Sequence, residues 1–233
     1  MSAKRKVQKG PSWFEVGLGA FLSVILGVLV GAAYLVERPV AKVTTIPKDA
    51  PTDAVFYIEG SKDSSGVVEQ KRKEFVSGQT ITVSEGELNG FIESYSKVSA
   101  PPPPPPAAAK PGDKAPPPAP AADLKVLDVG VLNARISGGK LQLGTSVTVN
   151  LFGFNNSVFV QATGTVSRSG SGFVFDPERF YVGGCPMTRL LFLRDYAMKK
   201  LLYAQPPPDD VVAAWSKLSD VSISGTSMTL KMP

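Results

Sequence analysis

Polarity first breaks from the average between Val16 and Val36, where VGLGAFLSVILGVLVGAAYLV carries no charge. About twenty apolar residues at ~1.5 Å rise cross the ~30 Å hydrocarbon core of a bilayer, so this run predicts a membrane-spanning helix. Trp13 and Tyr34 near its ends suit the lipid–water interface, and Glu37, Arg38 and Pro39 close it. The competing reading is a cleaved signal peptide, for which Gly31-Ala32-Ala33 offers small residues. The apolar run exceeds the roughly 7–15 residues of a signal core, which favours an uncleaved anchor over 13–38.

Beyond the anchor the pattern changes several times. Val55 to Ile58 reads as a short strand, and the polar stretch Lys62 to Lys73 as a loop. Ser84 and Glu87 form an S-x-x-E capping box, followed by Leu88, Phe91, Ile92 and Tyr95 at helical spacing. From Ala100 to Ala122 the chain is nearly all Pro, Ala, Lys, Gly and Asp, with prolines at 101–106. Such a run cannot bury enough apolar surface to build a core and favours extended polyproline II. It is either a linker between modules or an insertion in one domain.

After Asp123 apolar and polar residues alternate. Val126 to Ile136, Leu141 to Leu151, Val158 to Val166 and Phe173 to Val182 predict about four antiparallel strands, turning at Gly138-Gly139, Asn155-Asn156 and Ser167–Gly172. Gly183-Gly184 ends the last strand, and Pro186 suits the first position of a helix running to about Ala204. Pro206 to Pro208 stops it, and Asp209 or Asp210 caps a shorter helix through Trp215 and Leu218. Ile136 to Leu143 and Ile223 to Leu230 share the pattern I-S-G-x-x-[LM]-x-L, which predicts one kind of hairpin used twice. The expected divisions are a tail (1–12), the anchor (13–38), a first part of the outer domain (40–99), the proline-rich run (100–122) and a sheet with helices (123–233). The fold class is α+β: a transmembrane helix, then a twisted antiparallel sheet packed on one long and two short helices.

Charge refines this. The chain holds 25 basic and 20 acidic residues. Lys4, Arg5, Lys6 and Lys9 fall in the first ten positions; setting those four aside leaves 21 basic against 20 acidic. The excess is a tail, not a basic folded face, which sets nucleic acid aside as a partner. The same four residues orient the anchor, with the N-terminus cytoplasmic and the remainder outside, on the periplasmic side of a bacterial inner membrane. Gly19, Ser23, Gly27 and Gly31 line one helical face and include a GxxxG, a surface for self-association of the spanning helix.

Candidate chemistry is sparse. There is no histidine, so the commonest general base, the Ser-His and Cys-His pairs and the commonest metal ligand are missing. The one cysteine, Cys185, forbids an intrachain disulfide and reads as a small buried residue in a tight turn. No Walker A, dinucleotide fingerprint or G-x-S-x-G occurs. Asp209-Asp210 reads as a helix cap, and Lys71-Arg72-Lys73 as a solvated run. No catalytic residue, metal ligand or cofactor is expected.

Three features together resemble a family: Thr82-Val-Ser-Glu-Gly-Glu-Leu-Asn89, the step from Val182 through Gly183-Gly184 to Pro186, and the closing hairpin. They look like small bacterial envelope proteins of the YpmS-like and LmeA-like kind, similar in turn to tubular lipid-binding (TULIP-like) domains. The likeness covers about residues 78–233, and the proline-rich run after Asn89 departs from its pattern. It implies a curved antiparallel sheet wrapped on a long helix, and lipid binding. The expected function is thus a non-enzymatic envelope protein binding a lipid, another apolar ligand or an envelope partner. Its groove would involve Leu190, Leu191, Met198, Leu201 and Leu202. The alternative is a TonB-like linking protein using the proline-rich run as a spacer; a hydrolase is the third reading.

Overall fold

The computed structural model describes residues 10, 12–45, 47–49, 54–62, 66–99, 126–151, 154–170, 172–188 and 191–233. Lys4, Arg5, Lys6, Lys9, Leu190 and residues 100–122 lie outside the described residues. The fold is α+β, with a long apolar helix ahead of antiparallel sheets.

Helix α1 (Trp13–Glu37) has a mean hydropathy of 2.3 over its most apolar window, none of it buried in the protein, and is long and apolar enough to cross a membrane. Its start is fixed by a signal easily overlooked, Ser12-x-x-Glu15. The Glu15 amide donates to Ser12 Oγ (3.2 Å) and the Ser12 amide to Glu15 Oε2 (2.7 Å). Helix α2 (Val67–Val76) replaces the loop expected over Lys62–Lys73. Its weak apolar pattern hides that Phe75 is buried, and that Lys71 and Arg72 find carboxylates on other elements, Glu87 and Asp210. Tertiary partners decide the helix where its own periodicity does not.

Short strands β1 (Ala41–Lys42) and β2 (Phe56–Tyr57) pair in parallel. Strand β3 (Ile81–Ser84) runs straight into helix α3 (Glu85–Ser99). The capping box is made as read: the Glu87 amide donates to Ser84 Oγ (3.3 Å) and the Ser84 amide to Glu87 Oε2 (2.8 Å). The stretch expected as one strand over Val126–Ile136 is two, β4 (Leu127–Val129) and β5 (Asn133–Ser137), both paired with β6 (Lys140–Leu151). Then follow β7 (Phe154–Ser169), β8 (Gly172–Val182) and β9 (Cys185–Pro186), completing a six-stranded sheet. Asn155 and Asn156 are not a turn. They lie inside β7 opposite Asn150 and Val149, and the connection falls between Leu151 and Phe154.

Pro186 does not open a helix. Gly183 holds φ +58°, a left-handed value glycine takes without strain, and the turn folds Cys185-Pro186 back on the end of β8. An edge position costs proline nothing, since no ladder donor is needed there. Helix α4 starts later, at Leu191, runs to Ala197 and ends in a π turn over Met198–Leu202 rather than near Ala204. Met198 and Leu202 are buried in the main core. Helix α5 (Asp209–Trp215) and the hairpin β10 (Asp220–Ser224) with β11 (Ser227–Lys231) end the chain, and β11 pairs with β3.

The repeated pattern is one hairpin geometry used twice. Ile136 pairs with Leu141 and Ser137 with Lys140; Ile223 pairs with Met228 and Ser224 with Ser227. The two segments flanking residues 100–125 bind each other. Strand β3 lies on β11, and α3 holds β5 through side chains. The proline-rich run therefore leaves and re-enters the same body.

Candidate functional site

The densest polar cluster lies where α3 meets the free edge of β5. Asn89 is 3% exposed; its carboxamide accepts from the Ala134 amide (2.6 Å) and donates to the carbonyls of Ala134 (2.6 Å) and Ser61 (2.8 Å). One side chain thus does what a neighbouring strand would do for that edge. One turn earlier on the same face, Glu85 accepts from the Ile136 amide (2.7 Å), and from the amide (2.6 Å) and hydroxyl (3.1 Å) of Ser61. Asn133 accepts from the Tyr57 hydroxyl and the Gly60 amide. Burial, reinforced by the charges of Glu59 and Glu85, pushes the Tyr57 hydroxyl far above its ordinary value, so it is a neutral donor. Asn89, Asn133 and Tyr57 are bonded and buried, Tyr57 at 1% exposure, while Glu85 is half-buried and Ser61 meets solvent. The cluster fixes the helix–sheet joint. The motif S-E-G-E-L-N is accounted for by capping and edge-holding.

Glu87, on the opposite side of α3, faces Lys71 (2.7 Å). Burial alone would raise its carboxyl, but bonds from Lys71 and Ser84 outweigh that and hold it below the ordinary range. Lys71 and Glu87 border a cavity of about 100 Å³ between α2, α3, α5 and the β10–β11–β3 sheet, lined otherwise mainly by apolar groups such as Phe75, Phe91 and Trp215. That is below the roughly 300 Å³ at which ligand pockets usually begin.

Trp215 forms the wall between this cavity and a much larger one, and its indole N–H donates to the Phe173 carbonyl (2.8 Å). The larger space, about 940 Å³, is an open cleft between the Ser167–Pro177 end of the β7–β8 hairpin and the α4–π helix. Phe173, Phe175, Met198, Tyr203 and Trp215 give it an apolar wall; Arg168, Arg194 and Lys199 give it cations against Asp176 and Asp195. Arg194 leans on its neighbour Asp195 (3.0 Å), and the Arg168 guanidinium lies 5.9 Å from the Phe173 ring centre.

Of the five residues expected to form a groove, Met198 borders the cleft, Leu202 is buried in the core and Leu201 packs against it. The Leu191 side chain and Leu190 are outside the described residues. The aromatic wall comes from β8, α5 and Tyr203, which alternation alone did not single out. Among the described residues nothing lies within 4 Å of where a Cβ on Gly19, Gly27 or Gly31 would stand, and the Ser23 hydroxyl donates to the Gly19 carbonyl (2.8 Å). Cys185 is buried, and burial raises its thiol. Among the described residues no group of three or more His, Cys, Asp or Glu is placed to hold a metal. Comparison with family models, with characterised proteins and with solved structures returns no match.

Proposed function

We propose that this chain is a non-enzymatic, single-pass envelope protein whose outer domain binds an apolar or amphipathic ligand, a lipid being the favoured class. Lys4, Arg5, Lys6 and Lys9 keep the N-terminus in the cytoplasm and the domain on the periplasmic side of a bacterial inner membrane. The observation that carries the ligand reading is the cleft of about 940 Å³ beside α4, with aromatic walls and three cations at its margin. An acyl chain would lie against Phe173, Met198 and Trp215, and an anionic head would meet Arg168, Arg194 or Lys199. The linking-protein reading needs a spacer between anchor and end domain, and the hydrogen bonds between α3 and β5 leave the proline-rich run without that position.

The test is photolabelling of the full chain in native-lipid nanodiscs with a diazirine fatty acid. Adducts on peptides containing Met198, Tyr203 or Trp215 are expected. Adducts confined to α1 would overturn the ligand reading.

A further inference from the structure

The apolar cavity of about 100 Å³ is a gap in the core, where close packing leaves few voids larger than a water molecule. Helix α5 roofs it: Val211 and Trp215 line it together with Phe75, Phe91, Met228 and Leu230. The charged groups at its border serve one another. Lys71 pairs with Glu87 (2.7 Å) and Arg72 with Asp210 (2.7 Å). Such walls suit a purely apolar group. An apolar cavity of about 150 Å³ takes a benzene ring, so about 100 Å³ takes the last few carbons of a chain and not a whole ligand.

The complementary part lies next door. The cleft of about 940 Å³ has Arg168, Arg194 and Lys199 at its margin and Phe173 and Met198 along its wall. One side chain, Trp215, borders both spaces. Trp215 is the last residue of α5 and only half-buried, and its indole N–H donates to the Phe173 carbonyl (2.8 Å). The rest of the helix is pinned: Val211 and Ala214 are buried, and Asp210 is tied to Arg72. The part free to swing is therefore the Trp215 ring, at the cost of one hydrogen bond.

We propose that Trp215 is a door, and that the cavity behind it is the subsite for the methyl end of an acyl chain. The ligand is a single-chain amphiphile with an anionic head. It lies with its head at Arg168, Arg194 or Lys199, its chain over Phe173 and Met198, and its last carbons between α5 and the β10–β11–β3 sheet. The inference rests on the ligand reading above and adds the direction in which the ligand lies and a minimum length for its chain.

The test uses the full chain in native-lipid nanodiscs and two photoreactive palmitic acids, one with its diazirine beside the terminal methyl, the other beside the carboxylate. Adducts of the first are expected on Phe75, Phe91 or Met228, and adducts of the second on Arg194, Lys199 or Tyr203. Excess palmitate or palmitoyl-lysophosphatidylglycerol should suppress the inner adducts, and the one that acts at the lower concentration tells a free acid from a lipid head. Suppression by neither overturns the subsite. Leu88 also lines the cavity, and Leu88→Trp fills it. That variant should move the terminal adducts into the cleft and keep those of the carboxylate end; terminal adducts that stay on Phe91 or Met228 overturn the subsite. Should the variant fail to fold, the two probes on the unsubstituted chain decide alone. Terminal adducts confined to the cleft overturn the subsite and leave the ligand reading standing. Adducts of both probes confined to α1 overturn the ligand reading and the subsite with it.

Discussion

At the scale of single residues, the molecule depends most on side chains that stand in for backbone. Asn89 satisfies the amide and carbonyl of Ala134 in a place water does not reach. Asn89→Ala leaves both unpaired and should cost roughly 2–4 kcal/mol, read as a lower melting temperature of the full chain in detergent. Asn89→Asp should be nearly as harmful, because a carboxylate cannot donate to the Ala134 and Ser61 carbonyls. Glu87 gives a pH signature. Its carboxyl is held below the ordinary 4.5, so the native state binds its proton less readily than the unfolded chain. Its contribution is therefore complete above that ordinary value and is lost as pH falls through the folded one. Glu87→Ala should cost about 1–2 kcal/mol at neutral pH, and the difference from the unsubstituted chain should shrink in an acid titration of melting temperature.

Among elements, those with local chemistry were legible and those with borrowed chemistry were not. The capping box at Ser84–Glu87 and the two glycine hairpins each carry their geometry within a few residues, and each is found where the sequence puts it. Helix α2 was hidden because its charges are paid for by Glu87 and Asp210, far along the chain. The late start of α4 was hidden because Pro186 suits an edge strand as well as a helix start. Gly183 shows the same ambiguity resolved by a neighbour: besides its left-handed φ, the close approach of the Val36 carbonyl leaves no room for a Cβ, which no local pattern announces. Gly183→Ala puts a methyl into that contact at a left-handed φ costing about 1–2 kcal/mol. The expected result is undocking, not unfolding. Trypsin should cleave after Lys42 faster, while the melting temperature falls by only a few degrees.

At the scale of the whole molecule, the long apolar helix was legible because its length and polarity are carried by one continuous segment, and the cleft was not. Its walls come from β7, β8, α4 and α5, and only the fold brings Phe173, Met198 and Trp215 together. The place of the proline-rich run was equally hidden, since composition cannot say whether the chain returns to the body it left. Here it does, because α3 and β5 share hydrogen bonds across it. Its length should then matter little. In a closed loop of 26 residues (100–125), removing the six prolines 101–106 changes the closure entropy by on the order of 0.2 kcal/mol. The shortened chain should melt within a degree or so of the original and keep the same protection of Lys42 from trypsin. A spacer between two independent modules would give a different result: the halves would survive being expressed apart. Splitting the chain inside the run should instead yield fragments that fold only when combined, because strand β3 needs β11 and the edge of β5 needs Asn89.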